Sequence, residues 1–181
     1  MTIRPFAQED FAFLKAMHAD SEVNHFLGNS DPWSDARVQE WLDKAMLWHR
    51  RGRGQMLVVR KSDGSPIGRC GLTPFRVNKE LPMPRYFWGE DRVPEGLQTV
   101  EECELGYTFH RDAWGQGYAT EAAAIMRDYG FDTLNLPFLI CMVHPDNVAS
   151  LKVCERTGFV ATGPANVAGQ EIRRHQLADY R

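Results

Sequence analysis

The strongest constraint on this chain is the run Trp114-Gly115-Gln116-Gly117-Tyr118-Ala119-Thr120-Glu121. It follows an apolar, strand-like run, Leu105-Gly106-Tyr107-Thr108-Phe109. It opens an Ala-rich helix expected from Ala119 to about Thr133. Glycines at Gly115 and Gly117 and an alanine at Ala119 let the backbone turn tightly and keep bulky side chains off it. Successive N–H groups can then converge on one concavity, with the positive end of the helix dipole behind them. Such a concavity suits phosphate oxygens. A strand, glycine loop and helix in this order point to an α/β fold and a phosphate-bearing ligand.

The rest of the chain limits which ligand. At 181 residues, 43% hydrophobic and 25% charged, the sequence reads as one soluble globular domain over 1–181. A net charge of −3 argues against nucleic acid as the main ligand. No apolar run approaches the ~20 residues of a membrane span, and Met1–Phe6 lacks the apolar core of a signal peptide. Cys70, Cys103, Cys141 and Cys154 are far apart with no CxxC pair, and the histidines show no zinc spacing, so reduced core thiols and no metal are expected. A cytoplasmic location follows from these readings, and a homodimer is left open.

Periodicity gives the element order. Thr2–Phe6 reads as a strand, and Asp10–Met17 as a helix. Gly28-Asn29-Ser30-Asp31-Pro32 is a loop. A helix capped by Ser34 or Asp35 runs to about Arg51, with Val38, Trp41, Leu42, Ala45 and Trp48 on its apolar face. Gln55–Lys61 and Pro66–Leu72 form a hairpin. The segment from Pro74 to Gly96, with four prolines among Phe75, Tyr86, Phe87 and Trp88, is a long irregular stretch or loose hairpin. Val100–Phe109 and Phe138–Val143 are strands. A helix capped by Asp146 or Asn147 ends at Gly158, and Phe159–Thr162 and Ile172–Tyr180 close the chain as a strand pair. The expected fold is α/β (α+β): a mixed, mainly antiparallel sheet of about seven strands with about four helices, the only parallel pairing expected within Val100–Val143.

The loop followed by Asn147-Val148-Ala149-Ser150 and Gly158-Phe159 resembles the GNAT superfamily of acyl-CoA-dependent N-acyltransferases. The match is strongest from Glu104 to Phe159. Within the superfamily it is most similar to the ribosomal-protein N-terminal acetyltransferases of the RimJ/RimL type. The resemblance implies that acetyl-CoA is the co-substrate and that Gly115–Thr120 is the pyrophosphate loop. Trp114 stands where the superfamily usually carries Gln or Arg. Cys154 stands where many members carry a tyrosine that protonates the departing thiolate. The rival readings are a dinucleotide-dependent oxidoreductase, which would want a third glycine at Thr120, and an acyl-CoA-binding module without transfer activity.

Acyl transfer to an amine needs a base, a donor for the thioester oxygen and a proton for the leaving sulfur. By the two-residue strand period, Glu102 and Glu104 share a face, and their repulsion is expected to raise the pKa of at least one; the alternative for each is a solvated surface acid or a salt-bridge partner. Glu104 is the first choice of base, with Gly106 marking a bulge that leaves a backbone N–H near Leu105 for the thioester carbonyl. Asn147, Ser150 and Cys154 share a helix face. The expected catalytic residues are Glu104 and Ser150. The expected cofactor contacts are Leu105, Tyr107, Trp114, Gly115, Gly117, Ala119, Thr120, Asn147 and Ser150. The alternative for Asn147 is a plain helix cap, and for Ser150 a small packing residue; His144 is tempting as a base but reads as a turn residue. Tyr86-Phe87-Trp88 either lines the acceptor pocket or packs. The acceptor is an amine, either a protein N-terminus or a small molecule.

Overall fold

The computed structural model describes residues 1–28, 30–50, 52–88 and 92–179. Asn29 of the first loop, the expected helix end at Arg51, residues 89–91 of the proline-rich segment and the expected strand end at Tyr180 lie outside the described residues.

Among the described residues there are eight strands and five α-helices. In order they are β1 (Thr2–Arg4), α1 (Phe11–Met17), α2 (Ser21–Asn24), α3 (Asp35–His49), β2 (Gly54–Val59), β3 (Pro66–Asn78), β4 (Arg85–Phe87), β5 (Val100–Phe109), α4 (Tyr118–Asp132), β6 (Phe138–Val143), α5 (Val148–Arg156), β7 (Val160–Val167) and β8 (Gln170–Ala178). The strand order is β1-β2-β3-β4-β7-β8-β6-β5, and β3 also pairs with β5.

Local chemistry accounts for the helix ends. The Ser34 hydroxyl accepts the Arg37 N–H at 3.3 Å and starts α3, whose Val38, Trp41, Leu42 and Ala45 are buried as their spacing predicts. The Asn147 side chain accepts the Ser150 N–H at 3.1 Å and starts α5. At the other end of α5, Gly158 has φ +90°. Its N–H donates to Glu155 O, and the Phe159 N–H donates to Cys154 O. This is the paired C-terminal bonding that a glycine at that position permits.

Three expectations are corrected. First, β3 continues past Pro74 to Asn78, because its pairing with β4 lies beyond the proline, at Arg76↔Phe87, Val77↔Tyr86 and Asn78↔Arg85. The start of the 74–96 segment is therefore a hairpin and supplies the eighth strand. Second, parallel pairing is not confined to the β5–β6 pair at Glu104↔Ile140. β4 also runs parallel to β7, at Arg85↔Asn166 and Tyr86↔Val167. Third, the short α2 was invisible because four residues hold no period; Asp20 caps it, accepting from the Glu22 N–H.

The chain forms two compact units. The first comprises residues 1–71 and 106–126. Its core gathers Leu14, Met17, Val38, Trp41, Leu42 and Leu57, with Phe6 set edge-on to Trp41 at 5.3 Å. The second comprises residues 72–105 and 127–181 and is centred on Phe75, Val77, Tyr86, Ile140, Ala165 and Ile172. All four cysteines are buried and outside any disulfide: Cys70 in β3, Cys103 in β5, Cys141 in β6 and Cys154 in α5. Among the described residues, no helix is long and apolar enough to cross a membrane.

Candidate functional site

The glycine loop belongs to the first unit. A 3-10 turn, Arg111–Ala113, leads out of β5, with the His110 ring nitrogen accepting the Asp112 N–H. The Trp114 indole N–H turns back to donate to Phe109 O at 2.9 Å, while nearly half of the residue stays exposed. The Gln116 amide donates to Asp112 O at 2.6 Å. Gly115 and Gly117 have φ of +73° and +83°, and a Cβ built on either meets nothing within 4 Å. These glycines are required by the backbone conformation; no protein atom crowds them. In α4 the first N–H taken by the chain is that of Glu121, which donates to Gly117 O at 3.0 Å. Among the described residues, the six N–H groups from Gly115 to Thr120 have no acceptor. A run of open N–H donors at the positive end of a fifteen-residue helix fits an oxyanion ligand. Sequence reasoning missed Arg60, whose charge is felt beside the Tyr118 hydroxyl at the start of α4 and which is itself paired with Asp63 at 2.9 Å. Tyr107 is half-exposed, with its ring 6.5 Å from that of Phe109.

The second unit holds the carboxylates and α5. Glu104 is half-buried on β5, opposite Ile140 of the parallel strand β6. The next carbonyl, that of Leu105, accepts the Cys141 thiol at 3.3 Å. Cys154 is 1% exposed. A hydrogen bond with Cys141 pulls its thiol below the usual value, against burial and against the negative charge of Glu104. Glu104, Leu105, Cys141 and Cys154 are thus one cluster. Ser150 stands one helical turn before Cys154 and is half-buried. Asn147 performs its capping role through its oxygen, and among the described residues its amide nitrogen has no partner. His144 behaves as a turn residue: its ring nitrogen accepts the Asp146 N–H at 3.2 Å.

Glu102 departs from the expectation of a raised pKa. Its side chain is fully buried, and one oxygen accepts from the Tyr86 hydroxyl at 2.5 Å and from Arg174 Nη2 at 2.9 Å. Burial opposes its ionisation, but the adjacent Lys79 ammonium and the hydrogen bonds from Tyr86 and Arg174 prevail and hold the carboxyl below its usual value. Arg174, on β8, and Lys79, just after β3, supply positive charge that no local pattern connects to β5. Tyr86 and Phe87 are buried in β4, while Trp88 is 37% exposed. The three aromatic residues therefore have different surroundings.

The family model described as an acetyltransferase (GNAT) domain matches residues 1–160. The chain belongs to the GNAT acetyltransferase family. The uncharacterized protein YkkB of Bacillus subtilis is 30% identical over 128 residues, which cover 68% of this chain and 60% of that relative's length. The crystal structure of an acetyltransferase from Agrobacterium tumefaciens is 27% identical, covers 98% of this chain and 90% of its own, and superposes with a TM-score of 0.72. Two solved structures at 18% identity share the fold. One is a spermidine N-acetyltransferase from Vibrio cholerae in complex with CoA and spermine, covering 98% and 94% of the two chains at TM-score 0.69. The other is a ribosomal-protein-alanine N-acetyltransferase from Brucella melitensis, covering 99% and 100% at TM-score 0.67.

Proposed function

We propose that this protein transfers an acetyl group from acetyl-CoA to a primary amine by direct attack, with residues 1–181 acting as a single transferase domain. The observation that carries the reading is the run of unpaired N–H groups from Gly115 to Thr120, in the strand–loop–helix setting of a GNAT domain. Gly115, Gly117, Ala119 and Thr120 bind the pyrophosphate through their backbone, with Trp114 flanking the loop. Asn147 offers its spare amide nitrogen to the pantetheine arm. Leu105 and Tyr107 line the acyl-carrying end along β5.

The chemistry assigns one proton task to each side chain. Glu104 removes a proton from the acceptor ammonium, freeing the lone pair that attacks the thioester carbon. The N–C bond forms, the C–S bond breaks, and Ser150 donates toward the departing sulfur. A backbone N–H near Leu105 stabilises the oxyanion. The acceptor is a protein N-terminus, in line with the RimJ/RimL resemblance, or a small amine; the fold is shared by enzymes of both kinds.

A second reading, an acyl-CoA-binding module without transfer, draws on Cys154: the residue in the place of the usual acid is buried and engaged with Cys141. Thiol release from acetyl-CoA, measured against a panel of amines and N-terminal peptides, decides between them. The transferase reading expects amine-dependent release, and it expects Glu104→Gln to reduce turnover by about 10²–10⁴-fold at neutral pH. That loss should shrink at high pH, where the free amine needs no base. Binding of acetyl-CoA with no release for any amine would favour the module. An unchanged pH–rate profile in Glu104→Gln would remove that residue from the mechanism.

A further inference from the structure

The two oxygens of the buried Glu102 carboxylate have unequal surroundings. Oε2 is fully served by the protein: the Tyr86 hydroxyl at 2.5 Å, Arg174 Nη2 at 2.9 Å and Arg174 Nε at 3.3 Å. Arg174 also donates to the Tyr86 and Thr162 hydroxyls and to Gln176 Oε1, so it is fixed in place. Oε1 is different. It is buried and has no aligned hydrogen bond, and its close neighbour is the Lys79 ammonium at 2.5 Å. Lys79 is the first residue after β3, and its side chain is 52% exposed. Arg174 already neutralises Glu102. Lys79 therefore adds a second positive charge that pairing alone does not require.

Strand register places this carboxylate near the proposed base. Glu104 pairs with Ile140 and Ile140 with Gln176, so these side chains share a sheet face. Gln176 and Arg174 are two apart on β8, as Glu104 and Glu102 are on β5, which brings all four onto that face. Residues two apart on a strand are about 7 Å apart.

Resting on the transferase reading, we propose that Glu102 receives a second ammonium group carried by the acceptor, and that Lys79 holds its place until the acceptor arrives. The exchange is charge-neutral: one alkylammonium leaves Oε1 for water and another replaces it. It costs less than bringing a new charge to an unpaired buried carboxylate. The fitting acceptor has a reactive amine at Glu104 and a second cation about 7 Å away. A small diamine and a peptide N-terminus followed by a lysine both present this chemistry.

The test compares diaminobutane with butylamine, and an Ala-Lys amide with an Ala-norleucine amide, as acceptors in the thiol-release assay. The wild-type protein should prefer the dication of one pair, which also identifies the source. Lys79→Met removes the internal competitor and should raise that preference in kcat/KM by about tenfold, chiefly through KM. Glu102→Gln should erase the preference. Lys79→Met keeps the test open if Glu102→Gln does not fold, since Lys79 is half-exposed. An equal effect of Lys79→Met on both members of each pair, or a preference that survives in folded Glu102→Gln, overturns the proposal. If no amine is turned over at all, the transferase reading fails separately. The thermal shift of Lys79→Met then decides: a larger shift with diaminobutane than with butylamine upholds the cation site, and equal shifts overturn it.

Discussion

Position along one helix gives Ser150 and Cys154 different surroundings. Cys154 is 1% exposed and hydrogen-bonded to Cys141, so its sulfur faces protein. Ser150 is half-buried, and a hydroxyl is a stronger donor than a thiol. Ser150→Ala should slow the chemical step by about 10- to 100-fold, the loss of a donor worth roughly 1.5–3 kcal/mol to developing charge. Cys154→Ala should change turnover little and reduce stability instead. Single-turnover rates for both variants check the assignment, and a silent Ser150→Ala beside a damaging Cys154→Ala would reverse it. His18 carries a second residue-scale expectation, this one about pH. The Asn24 amide donates to the carbonyls of His18 and Asp31, so its oxygen is the acceptor for His18 Nδ1–H at 2.8 Å. Nε2 is then an unpaired buried lone pair, and the ring stacks on Trp33 at 3.6 Å. Burial, and then the charge of Arg69, lower its pKa from 6.5 to about 3. Above pH 6.5 the ring is neutral folded and unfolded, and pH has no effect through it. Between 6.5 and about 3 only the unfolded chain binds the proton, so stability falls with pH by up to about 1.4 kcal/mol per unit. Urea midpoints across that range should fall less steeply in His18→Phe than in the wild type; parallel slopes would remove His18 as the cause. Neither the Asn24 contact nor the Glu102 network was legible in the sequence. Each joins residues whose proximity is created by folding, and no period or spacing encodes it.

At the scale of elements, the sequence was legible wherever one local rule decided the structure. The start of α3 at Ser34, the start of α5 after Asn147 and its end at Gly158 are capping chemistry, written in consecutive residues. The proline-rich segment was harder. β4 has only three residues, and it is a strand because β3 and β7 flank it. The glycine loop lies between these cases: its conformation was readable, and the lack of crowding around it was not. That openness sharpens a test. A Cβ at position 117 meets no protein atom within 4 Å, so Gly117→Val should fold, at a cost set by the positive φ of about 1–3 kcal/mol. The branched side chain would stand where the N–H groups converge and should abolish acetyl-CoA binding. Calorimetric titration checks this; a folded variant with unchanged affinity would place the pyrophosphate elsewhere.

For the whole molecule, the family assignment and the loop geometry converge on one ligand, and linkage turns that into a measurement of the entire chain. A ligand that binds only the folded protein stabilises it by RT ln(1 + [L]/Kd), about 2.7 kcal/mol at a hundredfold excess over Kd. A chain of 181 residues converts each kcal/mol into about 2–4 °C of Tm, so saturating acetyl-CoA should raise Tm by roughly 5–10 °C. CoA should act similarly, because it shares with acetyl-CoA the pyrophosphate proposed to meet the loop donors. NAD also carries a pyrophosphate, which makes it the stringent control. Thr120 stands where a dinucleotide loop would have its third glycine, the one that permits close packing of helix on strand. NAD should therefore give no shift at concentrations where CoA gives a full one. Equal shifts for NAD and acetyl-CoA would mean that the loop recognises a pyrophosphate without regard to what it carries. Specificity would then have to come from Asn147, Leu105 and Tyr107. A shift with acetyl-CoA that persists in Gly117→Val would mean that the stabilising contacts are made away from the loop.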